Sequence, residues 1–245
     1  MVCISHVPDT TSKINFIENN SKFDKNGVQF IINPNDEFGL TRAIWFKEKN
    51  NARVDVINVG LQETEATLRK ALAIGADKAI RINIEPKDSS VVAKSISDYI
   101  SNNNYDLIIA GRESIDYNGG MVPGMISALT KINFIDKCID LNISENSVLA
   151  SREIDGGMEN ISTSLPLIIG GQKGLVEEND LKIPNMRGIM MARKKELLVL
   201  DPGNYTDTLE TDNFEKPEPK EEVTLVSPDE VEKLIELLNN EAKAI

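Results

Sequence analysis

Short apolar runs alternate with longer segments of helical periodicity through the first half of the chain. Residues 53–59 and 79–82 have the length and composition of strands, whereas residues 63–74 and 92–100 carry apolar side chains at helical spacing. The connections between these segments are short. Repeated alternation of this kind predicts an α/β fold, in which a mainly parallel sheet is covered by helices on both faces.

The loops that follow the strands are the candidate ligand-binding segments, because ligands of parallel sheets bind outside the carboxyl ends of the strands. We expect four loops to converge there, at residues 5–9, 33–36, 59–61 and 111–122. No Gly-x-Gly-x-x-Gly sequence follows the first strand, at residues 2–6, and the chain contains no Walker loop. Standard dinucleotide and P-loop sites are therefore disfavoured.

The segment YDLIIAGRESIDYNGGMVPGMISAL, residues 105–129, combines a short buried strand, a break at Gly111, a polar loop and a turn at Gly119 and Gly120. A helix follows directly. Unpaired amides and a positive dipole at a helix start form a binding site for a phosphate. The same residues on their own are equally consistent with an ordinary strand-to-helix turn.

The pattern changes after about residue 132. Residues 138–143 and 148–154 are extended, and Asp155-Gly156-Gly157 is a hairpin turn signal. A returning strand and a buried apolar strand complete the region. We interpret residues 137–171 as an antiparallel hairpin addition to the same sheet, within one α/β domain that spans residues 1–200.

Residues 182–195 combine apolar and basic side chains. The apolar set is Ile183, Met186, Ile189 and Met190, and the basic set is Arg187, Arg193, Lys194 and Lys195. A methionine-rich surface suits adaptable contacts with other proteins. The alternative is a core helix whose basic end complements its dipole.

Most of the negative charge of the chain lies in its C-terminal tail. The net charge is -12, and residues 209–245 carry eleven acids and four bases. Such acidity argues against nucleic acid as a partner. Residues 201–226 are expected to form an acidic linker or wrapping segment, and residues 227–245 an amphipathic helix with a cap, a proline at N1 and an apolar stripe.

The bulk properties favour a cytoplasmic protein without a membrane span. No run approaches the ~20 apolar residues that cross a bilayer. We expect no signal peptide, because the chain lacks a basic segment before the first strand. Two cysteines, Cys3 and Cys138, fit a reducing compartment. The lone histidine, His6, makes a zinc site and imidazole catalysis improbable and is better explained as a structural residue.

Six short stretches together resemble the beta subunit of electron transfer flavoproteins. They occur in the order of that family and extend from the first strand to about residue 200. They are VPD at 7–9, NPNDE at 33–37, LRKALAIGAD at 68–77, GRESID at 111–116, REIDGGME at 152–159 and IMMARKK at 189–195.

The resemblance implies a nucleotide-binding fold of the adenine nucleotide alpha hydrolase kind, and a heterodimer with an electron transfer flavoprotein alpha subunit. It implies a non-catalytic electron carrier whose FAD is held mostly by the alpha subunit. Electrons would come from acyl-CoA dehydrogenases, as in fatty acid oxidation, and pass toward the quinone pool through a quinone oxidoreductase. The beta subunit would hold AMP, or a second FAD if it belongs to the electron-bifurcating branch.

The resemblance also implies site residues. The nucleotide-binding set is Cys3, Asn33, Val59, Gly111, Asp116, Gly119, Gly120, Met121 and Val122. Members of the family commonly have amide or hydroxyl side chains where this chain has Gly120 and Met121, which leaves backbone amides as the main phosphate donors. The partner-binding set is Ile183, Met186, Ile189, Arg193, Lys194, Lys195 and Glu159, with Met186 as the apolar anchor.

A rival interpretation is a nucleotide-binding regulatory module similar to universal stress proteins, with ATP or AMP as a signal. The strand-to-helix loops would serve that function equally well. The hairpin, the methionine-rich segment and the tethered helix would then have no purpose, so this interpretation ranks below the electron carrier.

Overall fold

A computed structural model describes residues 1–219 and 223–245 of the chain. Within these residues the strands are β1 (Val2–Cys3), β2 (His6–Pro8), β3 (Phe16–Ile17), β4 (Lys22–Phe23), β5 (Phe30–Ile32), β6 (Asp55–Val59), β7 (Lys78–Ile82), β8 (Leu107–Gly111), β9 (Asn133–Ser144), β10 (Ser147–Ile154), β11 (Gly157–Ser164), β12 (Leu167–Gly171) and β13 (Leu197–Leu200). The helices are α1 (Pro34–Asn50), α2 (Glu65–Ile74), α3 (Ser89–Ser101), α4 (Met121–Thr130), α5 (Met186–Ala192) and α6 (Val231–Asn240).

Nine of the described strands form one sheet in the order β11-β10-β9-β12-β8-β1-β6-β7-β13. Neighbours from β9 through β13 in this order are parallel, whereas β10 pairs antiparallel with both β9 and β11. The predicted α/β fold, with a mainly parallel sheet and an antiparallel addition, is therefore confirmed. The six parallel strands β12, β8, β1, β6, β7 and β13 therefore end along one edge of the sheet.

Helices cover both faces of the sheet, as the sequence predicts. Alternate residues of each strand face opposite sides, so Val2 belongs to one apolar cluster and Cys3 to the other. The first cluster includes Leu40 of α1 and Leu68 of α2. The second includes Ile96 of α3 and Ile126 of α4, and the central strands are buried on both faces.

The first strand is shorter than its sequence suggests, because the chain leaves the sheet after residue 4. The backbone amide of Ser5 donates to the Asp36 carboxylate over 2.7 Å instead of pairing with a strand. The residues that follow form β2, which pairs antiparallel with β5 outside the main sheet. The predicted single strand at residues 2–6 did not anticipate this separate ribbon.

The hairpin addition begins within a longer strand than predicted. Residues at the start of β9 run parallel to β12, and the continuation of β9 pairs antiparallel with β10. The structure differs from the prediction at β12, which lies between β8 and β9 and is parallel to both. Its five residues are all buried, so it is a central strand of the sheet.

The C-terminal segment begins by lying against the domain. Residues 201–219 form no regular element, but the Tyr205 hydroxyl donates to Asp98 over 2.5 Å and the Phe214 ring stacks on Phe16 at 4.8 Å. Residues 201–219 of the predicted linker therefore wrap along the domain. Linker residues 220–222 lie outside the described residues. Helix α6 begins at Val231, four residues later than predicted, and none of its residues is buried.

None of the helices in the described part of the chain is long and apolar enough to cross a bilayer.

Candidate functional site

Three of the predicted nucleotide-binding residues end adjacent strands at the carboxyl edge of the sheet. Cys3 ends β1, Val59 ends β6 and Gly111 ends β8, and β1 lies between the other two. Cys3 and Val59 are buried apolar neighbours that suit the face of an adenine base. Burial raises the pKa of the Cys3 thiol to about 12, so this thiol is neutral and acts as a small apolar side chain.

The buried carboxylate of Asp36 joins two of the loops at this edge. One oxygen accepts from the Ser5 amide over 2.7 Å, and the other accepts from the Gly111 amide over 2.8 Å. Asp36 lies in the first turn of α1, where the helix dipole favours an acid. Desolvation nevertheless raises the pKa of Asp36 to about 7, against the lowering effect of its hydrogen bonds.

Gly111 is required by this close packing. A Cβ atom at this position would clash with the Asp36 carboxylate and would lie 2.8 Å from the Asn35 Cβ atom. The tight approach brings the start of α1 directly against the end of β8. The loop after β8 therefore begins at a fixed point.

Asn33 holds the next part of the loop. It is the N-cap residue of α1, but its side chain makes no cap hydrogen bond. Its amide nitrogen instead donates to the Glu113 carbonyl over 2.9 Å, and its amide oxygen accepts from the Ile115 backbone over 3.2 Å. Asn33 is thus committed to shaping the loop, and its backbone is engaged as well, because its amide donates to the Ser5 carbonyl over 3.1 Å and its carbonyl accepts from the Asp36 amide over 2.8 Å.

The tip of the loop is exposed and closes by a single bridge. The Ser114 amide donates to the Gly119 carbonyl over 3.3 Å, and Asn118 adopts a left-handed backbone with φ of 49°. Asp116 is exposed at this tip, where its carboxylate accepts from the Tyr117 amide over 3.0 Å. Asp116 is therefore exposed at the loop tip, whereas Cys3 and Val59 are buried.

Helix α4 starts at the end of this loop with no side-chain cap. Gly120 is its N-cap residue, and Met121 and Val122 occupy the first turn, with Met121 about half exposed. Pro123 has no N–H to offer, so the first-turn donors are the amides beside it. The guanidinium of nearby Arg112 is engaged by Glu113 and Gln172. The available donors are thus backbone amides, and the buried residues Cys3 and Val59 supply an apolar surface. This combination fits an adenine nucleotide with its phosphate at the start of α4.

His6 lies beside this edge in a structural setting. Its Nδ1 atom is 2.7 Å from the Thr67 hydroxyl of α2, and its ring stacks on Phe30 at 4.4 Å. Burial lowers the pKa of His6 below its usual value. These contacts attach the β2–β5 ribbon to α2 and agree with the structural interpretation of this residue.

Comparison with known proteins identifies the family. A family model described as the electron transfer flavoprotein domain matches residues 21–203. A Bacillus subtilis protein named electron transfer flavoprotein subunit beta is 34% identical over 251 residues, which cover 97% of this chain and 96% of the relative. The chain belongs to the electron transfer flavoprotein beta-subunit family.

Two further relatives carry the same name. The Dictyostelium discoideum protein is 32% identical over 204 residues, covering 82% of this chain and 80% of the relative. The Syntrophomonas wolfei protein is 31% identical over 197 residues, covering 80% of this chain and 76% of the relative. These matches confirm the resemblance and give the chain its role in electron transfer.

The methionine-rich segment of this family member is an exposed surface. Ile183 is 81% exposed, Met186 76% and Ile189 41%, and the side chains of Met190 and Met191 are also exposed. The alternative of a buried core helix is therefore excluded. We call this set of five side chains, carried by α5 and the residue Ile183 before it, the methionine surface.

The basic residues after α5 divide into two groups. Arg193 and Lys194 are exposed beside the methionine surface. Lys195 is half-buried, and its Nζ atom donates to the Leu72 and Ala76 carbonyls over 2.9 and 2.6 Å. Lys195 thus binds the C-terminal end of α2, whereas Arg193 and Lys194 remain on the surface.

Glu159 lies on the edge strand β11, apart from both other groups. It pairs with Arg152 of β10 over 2.6 Å, and both side chains are partly exposed. A groove of about 470 Å³ opens beside the hairpin turn, where Met158 and Ile154 face Gln172 and Lys173. The predicted partner residues therefore belong to two surfaces, the hairpin and the methionine surface.

Asp36 is the residue that sequence reasoning did not select. It belongs to the quoted NPNDE stretch, which was read as a turn and a helix cap. The available signal was an acid in the first helical turn just after a strand, at the edge where ligands bind. Its pairing with Ser5 and Gly111 depends on contacts between distant segments, so the pattern alone could not show it.

Proposed function

We propose that this chain is the beta subunit of a heterodimeric electron transfer flavoprotein, paired with an alpha subunit that holds most of the FAD contacts. It accepts electrons from acyl-CoA dehydrogenases and related flavoenzymes and passes them toward a quinone oxidoreductase and the quinone pool. The observation that carries the proposal is the exposed methionine surface on a chain of this family. A surface of this kind serves a carrier that must dock with several enzymes.

In this proposal the carboxyl edge of the sheet holds AMP as a structural nucleotide. Cys3 and Val59 contact the base, and Gly111, Asn33 and Asp116 border the site. The amides of Gly119, Gly120, Met121 and Val122 bind the phosphate. Backbone donors at an uncapped helix start support this assignment. FAD, where bound, supplies the redox chemistry, and this chain contributes position and electrostatics.

Met186 is proposed as the apolar anchor for the electron donor. It is the most exposed methionine in the described part of the chain and lies at the start of α5. Arg193 and Lys194 supply positive charge at the rim of this surface, which suits a partner pocket bordered by acids. Buried free cysteines agree with a cytoplasmic setting for the complex.

Glu159 and the hairpin are proposed to face the alpha subunit. The Glu159 carboxylate already pairs with Arg152 at the surface, and such exposed pairs exchange partners at little cost, about 0.2–1 kcal/mol. A basic residue of the alpha subunit can therefore compete for Glu159 without unfolding the hairpin. A weak, exchangeable pair of this kind suits a flavin domain that moves between orientations.

The nucleotide test identifies what copurifies with the chain. The protein is co-expressed with its alpha subunit, and the bound molecules are released and identified by mass. One FAD and one AMP per heterodimer support the proposal. Two FAD molecules place the protein in the bifurcating branch, and an exchangeable ATP without flavin overturns the carrier function in favour of a regulatory module.

The partner test uses Met186→Ala in the same heterodimer. We expect a slower reduction by an acyl-CoA dehydrogenase with an unchanged flavin content, because the anchor is lost while the cofactor sites are untouched. The control is Leu129→Ala, which trims an exposed apolar side chain on α4, away from the methionine surface. Normal reduction of the Met186→Ala protein would overturn the assignment of the methionine surface.

A further inference from the structure

One face of α2 contacts the segment that carries the methionine surface. Arg69, Leu72 and Ala73 follow one another at helical spacing on this face, and Ala76 lies just after the end of α2. All four touch α5 or the residues just after it. Ala73 and Ala76 are small, which lets the two backbones approach closely. The position of α5 is therefore set by α2.

Arg69 closes the C-terminal end of α5. Its guanidinium donates from one nitrogen to the Ala192 carbonyl over 2.7 Å and to the Lys195 carbonyl over 2.8 Å. The last carbonyls of a helix have no intrahelical partner, and a cation there also complements the dipole. Because α5 has only seven residues, it is far too short to be stable without such tertiary contacts.

Gly188 allows a close contact between α5 and α2 near the start of α5. A Cβ atom at this position would clash with the Ala73 carbonyl oxygen and would lie 3.3 Å from its carbonyl carbon. The Asn185 side chain accepts from the Gly188 amide over 2.8 Å and so starts the helix at this point. The same short helix is thus tied to α2 by a close backbone contact near its start and by Arg69 at its end.

We propose that Arg69 is a positioning residue for partner recognition, which holds α5 on α2 so that Met186, Met190 and Met191 are presented as one pre-formed surface. The inference rests on the proposed function of that surface. Ordering seven residues at the moment of docking costs affinity, and a helix that is already held avoids this cost. Arg69 acts through α5 and touches neither nucleotide nor flavin in this scheme.

The first experiment measures whether α5 is held, and it needs no dehydrogenase. Trypsin is added to the full chain copurified with its alpha subunit, and cleavage after Arg187, Arg193 and Lys194 is followed by mass spectrometry. In Arg69→Met, which keeps most of the side-chain stem, we expect cleavage at these positions to accelerate about tenfold, because local opening exposes them. The control is Lys22→Met, which removes a cation from an exposed ion pair on β4 and should leave these cleavage rates unchanged.

The second experiment measures recognition in the same proteins. With an acyl-CoA dehydrogenase as electron donor, Arg69→Met should raise the KM for the flavoprotein about tenfold while kcat and flavin content stay near wild type. Arg69→Lys retains a cation for one of the two carbonyls and should give an intermediate KM. A residue that merely supports the fold would lower flavin content or kcat instead.

Gly188→Ala tests the same contact by a different route. Alanine favours a helix on its own, so a loosened α5 in this variant can only come from the clash with α2. We expect Gly188→Ala to show the same faster trypsin cleavage and the same raised KM as Arg69→Met. In the double variant, the cleavage rate and the KM should exceed those of the stronger single variant by no more than about twofold, because both substitutions break the same contact between α5 and α2.

Two results would overturn the inference. Unchanged cleavage in both Arg69→Met and Gly188→Ala would show that α5 does not depend on α2. Faster cleavage with an unchanged KM, in an assay where Met186→Ala does raise KM, would show that holding α5 does not serve recognition. If Met186→Ala also leaves KM unchanged, the proposed function of the surface fails instead.

Discussion

Gly111 donates its backbone N–H to the buried carboxylate of Asp36 over 2.8 Å, and this bond joins the end of β8 to the first turn of α1. The second oxygen of the same carboxylate binds the Ser5 amide, where the chain leaves β1. One side chain therefore organises three loops at the edge that we assign to the nucleotide. Loss of this link would disturb the shape of the site before any ligand contact is changed.

Gly111→Ala should destabilise the protein, because the new methyl group meets the Asp36 carboxylate and the Asn35 side chain. Overpacking of this kind typically costs about 1–3 kcal/mol. Guanidinium unfolding of the variant checks the size of the effect. Gly157→Ala is the control, since a Cβ atom there meets nothing within 4 Å, and equal losses in the two variants would contradict the close packing at Gly111.

Asp36 should make stability depend on pH. Burial raises its folded-state pKa to about 7, above the usual value for an aspartate, so the native protein retains a proton that the unfolded chain has lost. The stability from this proton is complete at low pH and is lost as the pH rises through about 7. Asp36→Asn removes the titration, so the stability advantage of wild type over the variant should shrink between about pH 4 and pH 7.

The measurement for Asp36 is chemical denaturation of both proteins across that pH range. Near pH 7 the variant should be less stable by about 1–3 kcal/mol, because its single amide oxygen cannot accept from both Ser5 and Gly111 and its NH₂ group opposes a backbone donor. The difference should be larger at lower pH. A constant difference between the two curves would show that Asp36 does not titrate as described.

Asp88→Ala should release the wrapping segment. One Asp88 oxygen caps α3 by accepting from the Ser90 amide over 2.6 Å, and the other accepts from the Thr208 and Leu209 amides over 2.6 and 3.0 Å. We expect faster hydrogen exchange at Thr208 and Leu209, together with a capping loss of about 1 kcal/mol. Asp98→Asn should leave these two amides protected, since Asp98 binds only the Tyr205 hydroxyl in this segment.

The Asp88 contacts also give a pH dependence of opposite sign. The Thr208 hydroxyl and the backbone donors lower the pKa of Asp88 well below its usual value. Stability from this group is present above about pH 4 and is lost as the pH falls below that. Acidification should therefore release the amides of Thr208 and Leu209 before the sheet unfolds, which exchange measured at low pH would test.

Leu234→Asp should weaken the heterodimer and leave the isolated chain as stable as wild type. Leu234 is 43% exposed on α6, beside Val231 and Ile235, so the charge disrupts a stripe that the domain itself does not cover. Titration of the alpha subunit monitored by size exclusion measures the effect. Asn240→Asp places the same charge on the polar side of α6 and serves as control, and equal affinity of all three proteins would show that α6 does not dock on the alpha subunit.

Local pattern was sufficient to predict the elements whose neighbours are close in sequence. The strand predicted at residues 53–59 and the helix predicted at 63–74 formed as β6 and α2, each beginning two residues later than expected. The Gly75 amide ends α2 by donating to the Ala71 carbonyl over 3.2 Å. Strand alternation then located the carboxyl edge, and Cys3, Val59 and Gly111 lie together there. These inferences depend on periodicity and on turn chemistry, which the sequence carries directly.

The features that pattern could not predict depend on pairing between distant segments. The place of β12 between β8 and β9 is one, because a buried apolar strand has the same composition at any central position. The early end of β1 is another, since it follows from the Ser5 bond to Asp36. Lys195 is a third: it lies in a basic run, but its ammonium group closes the end of α2.

The position of β12 has a consequence for synthesis on the ribosome. Strand β8 is complete at residue 111, but its neighbour β12 is complete only when residue 171 has been synthesised. Strand β7 likewise gains its neighbour β13 only when residue 200 has been synthesised. A nascent chain therefore exposes two open strand edges while most of the domain is already present. Such late closure makes folding slow and the unfinished chain prone to aggregate, so chaperones should engage it most strongly while residues 112–171 are being added.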